Sequence, residues 1–211
     1  MSFVICILLF ICLVYLWMQI ATKDKDFIVN DELLTFTKND KVTIIAYIFL
    51  AIIIFTKLST VSMIFATVSL PYLIIAAITD KKTKLVYDMP FYVFGVVAII
   101  LETYMYKEFH CSVLWLFLFI QIFASLKLFG KGDRAMSVVC GVIYFIYNPV
   151  AGIIEALLVT CIMILVAEII FYIRAIKEHN LDGPFKLKES RPLGPDLCLA
   201  TFIILTGVSL L

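Results

Sequence analysis

Two aspartates stand at the ends of long apolar runs, and that placement is what suggests a chemistry. Asp80 closes the run 61–79, and Asp133 follows Phe129-Gly130-Lys131-Gly132 at the end of the run 112–129. A carboxylate at the edge of a bilayer is costly unless it faces water, a partner or a substrate. Gly130 and Gly132 open backbone conformations closed to residues with a Cβ, so a second chain can lie close to the main chain there. Two carboxylates brought together in a low dielectric cannot both ionise cheaply. One keeps its proton, and the pair titrates as a unit. The ionised member can then take a proton from water while the protonated one hydrogen-bonds a carbonyl, which is the arrangement of the aspartic proteases. The plainer alternative is two interfacial acids paired with Lys81, Lys82 or Arg134.

The elements that must position these residues are hydrophobic. Of 211 residues, 64% are hydrophobic, and the mean hydropathy is +1.09. Soluble domains run near 45–50% apolar, so the composition is that of an integral membrane protein. A net charge of +1 argues against a nucleic-acid binder. Cys6, Cys12, Cys111, Cys140, Cys161 and Cys198 lie in or beside apolar runs without a Cys-x-x-Cys pair, and read as small buried hydrophobes.

Eight spans are expected: 2–21, 42–56, 61–79 with a kink at Pro71, 91–106, 112–129, 135–147, 150–173 and 197–211. The first lacks a basic leader and a small-residue cleavage site, so it reads as an uncleaved helix. The fold class is therefore all-α, a polytopic membrane protein of about eight helices forming one domain over 1–211. No loop is long enough to hide a soluble domain, and no internal repeat is visible. With the N-terminus outside, segments 22–41, 80–90, 127–134 and 174–196 face the cytoplasm and hold fifteen Lys or Arg, against two (Lys57 and Lys107) in the outer turns. That asymmetry satisfies the positive-inside rule and sets Asp80 and Asp133 at one face.

With these motifs in place, the chain resembles the type IV prepilin peptidases, a family of Gly-x-Gly-Asp intramembrane aspartyl proteases. In that family the first catalytic Asp closes a helix and is followed by a pattern like Asp-x6-Pro-Asp/Asn; here Asp80 is followed, after six residues, by Tyr87-Asp88. The second catalytic Asp follows the Gly-x-Gly turn, matched by Gly130, Gly132 and Asp133. A late Pro-x-Gly-Pro motif is matched by Pro192-Leu193-Gly194-Pro195. The resemblance implies an endopeptidase of the cell membrane that cuts the basic leader from prepilin-like membrane proteins at the cytoplasmic boundary. It implies Asp80 and Asp133 as the catalytic pair, Gly130, Gly132, Pro192, Gly194 and Pro195 against the substrate, and neither metal nor organic cofactor.

The sequence also departs from the family. Tyr87 stands where proline is usual, and Ala135 where a lysine is common, with Arg134 one step earlier. Tyr87-Asp88 is similar to the Tyr-Asp of presenilin-type relatives, which makes Asp88 a rival for the first catalytic position. Bifunctional members carry a Cys-x-x-Cys methylation domain where this chain has only 22–41, so the implied enzyme is the peptidase alone. That segment is expected to fold back toward the active site, where Asp24, Asp26, Asp31, Glu32 and Asp40 would attract a basic leader.

Of the other polar residues, Glu168 is expected to pair with Arg174 or a neighbouring lysine, or to orient the aspartates. Glu102 and Glu155 are expected to reach headgroup water, and Asp196 reads as a helix-start carboxylate favoured by the dipole. His110 and His179 belong to no metal set. Two other classes fit the same composition: a small transporter or channel with broken helices, and a structural membrane protein without catalysis.

Overall fold

A computed structural model of the chain describes residues 3–29, 32–87, 89–106, 136–137, 140–144, 153–178 and 192–210. Its helices are α1 (Phe3–Lys23), α2 (Lys38–Phe55), α3 (Thr60–Thr83), α4 (Met89–Tyr106), α5 (Ile153–Lys177) and α6 (Gly194–Leu210). Residues 136–137 and 140–144 are helical as well. Three helical stretches, Phe3–Lys23, Thr60–Thr83 and Leu157–Lys177, are long and apolar enough to cross a membrane. The protein is thus a mostly helical membrane protein. Among the described residues three helices, rather than the eight expected, meet that standard. Pro90–Tyr104 and Gly194–Gly207 are shorter apolar stretches, and Lys38, Asp40 and Lys41 occupy the first turn of α2. The expected span 112–129 lies outside the described residues, as does part of 135–147.

Helix α3 is the axis of the bundle. It packs against α1, α2, α4 and α6, and every residue from Ser69 to Asp80 is buried. The helix runs through Pro71 without a break in its assignment; such a proline is tolerated where packed neighbours hold the turn that loses its hydrogen bond. Tyr72 lies at the centre of an aromatic cluster, with ring centroids 4.7 Å from Trp17, 4.6 Å from Phe91 and 5.6 Å from Phe94. Helices α1 and α5 bury only one side. On α5 the exposed residues Ile154, Leu158, Ile162, Leu165, Ile169, Ile173 and Ile176 form the apolar face expected toward lipid.

Glu102 and two of the cysteines differ from the expectations, whereas Glu155 is exposed as expected. Glu102 is only 1% exposed, because it shares the buried face of α4 with Phe91, Phe94 and Ala98; it does not reach headgroup water. Glu155 is exposed and accepts a hydrogen bond from Tyr144 Oη at 2.8 Å. Cys12 and Cys161 are exposed on the outer faces of their helices, whereas Cys6, Cys140 and Cys198 are buried; Cys111 lies outside the described residues.

The segment between α1 and α2 is not featureless. Residues Ile28–Val29 (β1) and Glu32–Leu33 (β2) form a small antiparallel ladder, with Ile28 opposite Leu33 and Val29 opposite Glu32. Phe27 and Leu34, which flank the ladder, are buried, and Leu34 N donates to Phe27 O at 3.0 Å. Among the described residues, the helices are thus accompanied by one small ladder, which packs against α3.

Candidate active site

Asp80 occupies the last turns of α3, where its carbonyl accepts the Lys84 N–H that closes the helix (2.9 Å). Lys84 takes the left-handed conformation, with φ 57°, which ends α3 at Thr83, three residues after Asp80. The Asp80 side chain is 8% exposed. Its Oδ2 accepts a hydrogen bond of 3.0 Å from the backbone N–H of Gly194, the first residue of α6. Four N–H groups at a helix start lack intrahelical partners, and the dipole there favours negative charge. The Asp80 carboxylate takes up one of those donors.

Gly194 is required by this contact. A Cβ at that position would lie 2.6 Å from Asp80 Oδ2 and 3.0 Å from Met136 Sδ. Any side chain would displace the carboxylate or break its hydrogen bond. Met136, three residues beyond Asp133, thus sits at the same place. Asp80, the Pro-Leu-Gly-Pro motif and Met136 all meet here. Gly130, Gly132, Asp133 and Arg134, together with Asp88, lie outside the described residues. Gly194, expected against substrate, contacts the aspartate. Pro192 and Pro195 line a cleft next to it.

Two ion pairs tie the surrounding helix ends. Arg174 Nη1 lies 2.7 Å from Asp196 Oδ1, joining the end of α5 to the start of α6. Asp196 is 1% exposed, so this pair is desolvated on the carboxylate side. Arg174 therefore pairs with Asp196 and not with Glu168. Six residues separate Glu168 from Arg174, which turns them about 120° apart around a helix. Lys82 Nζ lies 2.6 Å from Asp40 Oδ2 and donates to Thr35 O at 2.7 Å, joining α3 to α2. Asp40 serves twice, because it also forms a capping box with Thr37 at the start of α2. Burial pushes the Asp40 carboxyl up, but the Lys82 ammonium and the Thr37 hydroxyl and N–H outweigh it and leave it below its ordinary value.

The segment 22–41 folds back onto this end of the bundle. Tyr87 Oη donates to Asp24 Oδ2, and the Tyr87 ring packs at 4.7 Å on Phe27 and 6.5 Å from Trp17. The Tyr87 hydroxyl, with the Asp26 N–H at 2.9 Å, holds the Asp24 carboxyl below its ordinary range. Burial, and then the Asp24 carboxylate, push the Tyr87 hydroxyl up. Two of the acids expected to meet a basic leader, Asp24 and Asp40, are thus already engaged with Tyr87 and Lys82. Asp26 and Glu32 are exposed, and Asp31 lies outside the described residues.

The starts of α2 and α6 and the ends of α3 and α5 therefore gather at one end of the bundle. They belong to three of the four segments expected on one membrane face. No protein-family profile, curated protein or solved structure matches the chain.

Proposed function

We propose that the chain is an intramembrane aspartyl endopeptidase of the prepilin-peptidase kind, with eight spans, the N-terminus outside and the active site at the cytoplasmic edge of the cell membrane. The observation that carries the reading is the Gly194 N–H to Asp80 Oδ2 hydrogen bond. It brings together two motifs separated by 114 residues, and Met136 beside them ties in the chain that follows Asp133. Structural acids at a bilayer edge have no need of a glycine seat at a second, distant motif.

In this reading Asp80 and Asp133 share one proton. The ionised carboxylate takes a proton from water, and the resulting hydroxide adds to the scissile carbonyl, whose oxygen receives the shared proton. Collapse of the tetrahedral diol breaks the C–N bond: the leaving amine takes the proton first removed from water, and one diol hydroxyl returns the shared proton to the aspartate pair as the carboxylic acid forms. The Gly194 N–H keeps Asp80 Oδ2 an acceptor throughout. A shared proton must therefore be held at Oδ1 of Asp80 or on Asp133. The substrate is a membrane protein with a basic leader ahead of an apolar helix. Residues 22–41 stand where bifunctional relatives carry their methylation domain, so the cut product leaves with an unmethylated amine.

The test is cleavage of a co-expressed prepilin-like precursor. Wild type should shorten it, while Asp80→Asn and Asp133→Asn should each abolish the cut with normal expression and membrane insertion. Asp88→Asn should retain activity. If Asp88→Asn is inactive while Asp80→Asn still cuts, the first catalytic position is misassigned. Cleavage by both Asp80→Asn and Asp133→Asn overturns the proposal and leaves the transporter or structural readings.

A further inference from the structure

Beside the candidate active site lies a cavity of about 460 Å³ between α2, α3, α5 and α6, lined among others by Tyr47, Ala77, Lys81, Arg174, Lys177 and Pro195. Its lining has two characters. Tyr47, Ala77 and Ile78 are buried and mainly apolar, whereas Lys81 and Lys177 are exposed cations. Asp40 and Glu178 also line it, so the charges must be weighed. Asp40 is held by Lys82, and Arg174 by Asp196. Lys81 and Lys177 make no ion pair among the described residues. The Arg174 guanidinium has five N–H donors, and the Asp196 contact is made through Nη1. The balance against Glu178 remains positive, and the two unpaired cations come from different helices, α3 and α5. A second cleft of about 180 Å³ shares Lys81, Arg174, Glu178 and Pro195 and extends the lining to Pro192 and Asp196.

We infer that this cavity binds the phosphate headgroup of an anionic lipid, with Lys81 and Lys177 as the charge-bearing contacts and Arg174 as a further donor. The pairing of exposed cations with a buried apolar lining matches a molecule that is charged at one end and apolar at the other. Free phosphate would have no use for Tyr47, Ala77 and Ile78. Basic pockets between membrane helices are suited to anionic headgroups, and each Lys near such a surface contributes about fivefold in affinity. The inference depends on the membrane setting of the helices and not on the proteolytic reading.

The test uses the purified full chain in neutral detergent, with lipid binding followed by native mass spectrometry. Phosphatidylglycerol should bind in preference to phosphatidylcholine of the same acyl chains. The Lys81→Gln/Lys177→Gln variant should weaken phosphatidylglycerol binding about twenty-five-fold, from two contributions of about fivefold each. Lys81→Arg/Lys177→Arg should restore it, and Lys57→Gln, distant in sequence and in an outer turn, should leave it unchanged. Equal binding of the two lipids, or full affinity in the double Gln variant, overturns the assignment. Displacement of phosphatidylglycerol by millimolar inorganic phosphate would overturn the lipid and leave a simple anion site.

Discussion

At the scale of residues, the contact between Gly194 and Asp80 makes a demand on one hydrogen atom. Gly194→Ala would place a methyl 2.6 Å from Asp80 Oδ2, and a misplacement of about 1 Å at a reacting group can cost about a hundredfold in rate. The expected outcome is a loss of that order in the cleavage rate constant, with insertion and substrate affinity little changed. Cleavage by Gly194→Ala as fast as by wild type would show that this turn does not seat the aspartate. Both partners were visible in the sequence, each within its own motif. Their contact was not, because it is made by a backbone N–H, and no residue type advertises one. Glu102 was misjudged for a different reason. Its place toward the outer boundary suggests water, but positions 91, 94, 98 and 102 follow the helical spacing that marks one face, and that face is buried.

At the scale of elements, the helix ends are fastened in pairs, and each fastening can be tested. Asp196→Asn keeps the side-chain volume but leaves Arg174 without a charged partner. Arg174 is partly exposed, so the loss belongs between the values for surface and buried pairs, about 2 kcal/mol. Thermal unfolding in detergent should report it, and Arg174→Lys should cost less than Arg174→Ala. The hairpin is held differently, through Tyr87 and Asp24. The Asp24 carboxyl is lowered in the folded chain, so its contribution is complete above its ordinary value of 3.8 and is lost as pH falls through the depressed one. Protection of the Leu34 amide against hydrogen exchange, corrected for intrinsic rates, should therefore hold from pH 7 to 5 and fall only below about 4. Tyr87→Phe should lower that protection at neutral pH and return the Asp24 carboxyl toward its ordinary value. An unchanged Asp24 titration in Tyr87→Phe would mean the hydroxyl does not hold it. The hairpin was not legible as strands, because two-residue strands carry no periodicity to read. The return of 22–41 toward the candidate site is expected from its acids, but aromatic packing around Phe27 and Tyr87 also anchors it.

At the scale of the molecule, the composition identified a helical membrane protein, and the order of apolar runs located each described helix to within a few residues. The ends of those helices were less legible. Runs that stop at the first charge miss turns in which Asp40, Lys82, Arg174 and Asp196 remain helical because they pair with one another. One consequence of the central position of α3 concerns the lipid itself. The stretch of α3 from Ser69 to Asp80 is ringed by protein, while exposed apolar residues lie on α1, α2, α4 and α5 and, on α3 itself, at Ile64 and Val68. A bilayer that is too thick or too thin acts on the helices it touches, through tilt and stretching of their flanks. The height of Asp80 is then referenced chiefly to the neighbours that enclose its half of α3, and changes in membrane thickness reach it mainly through them.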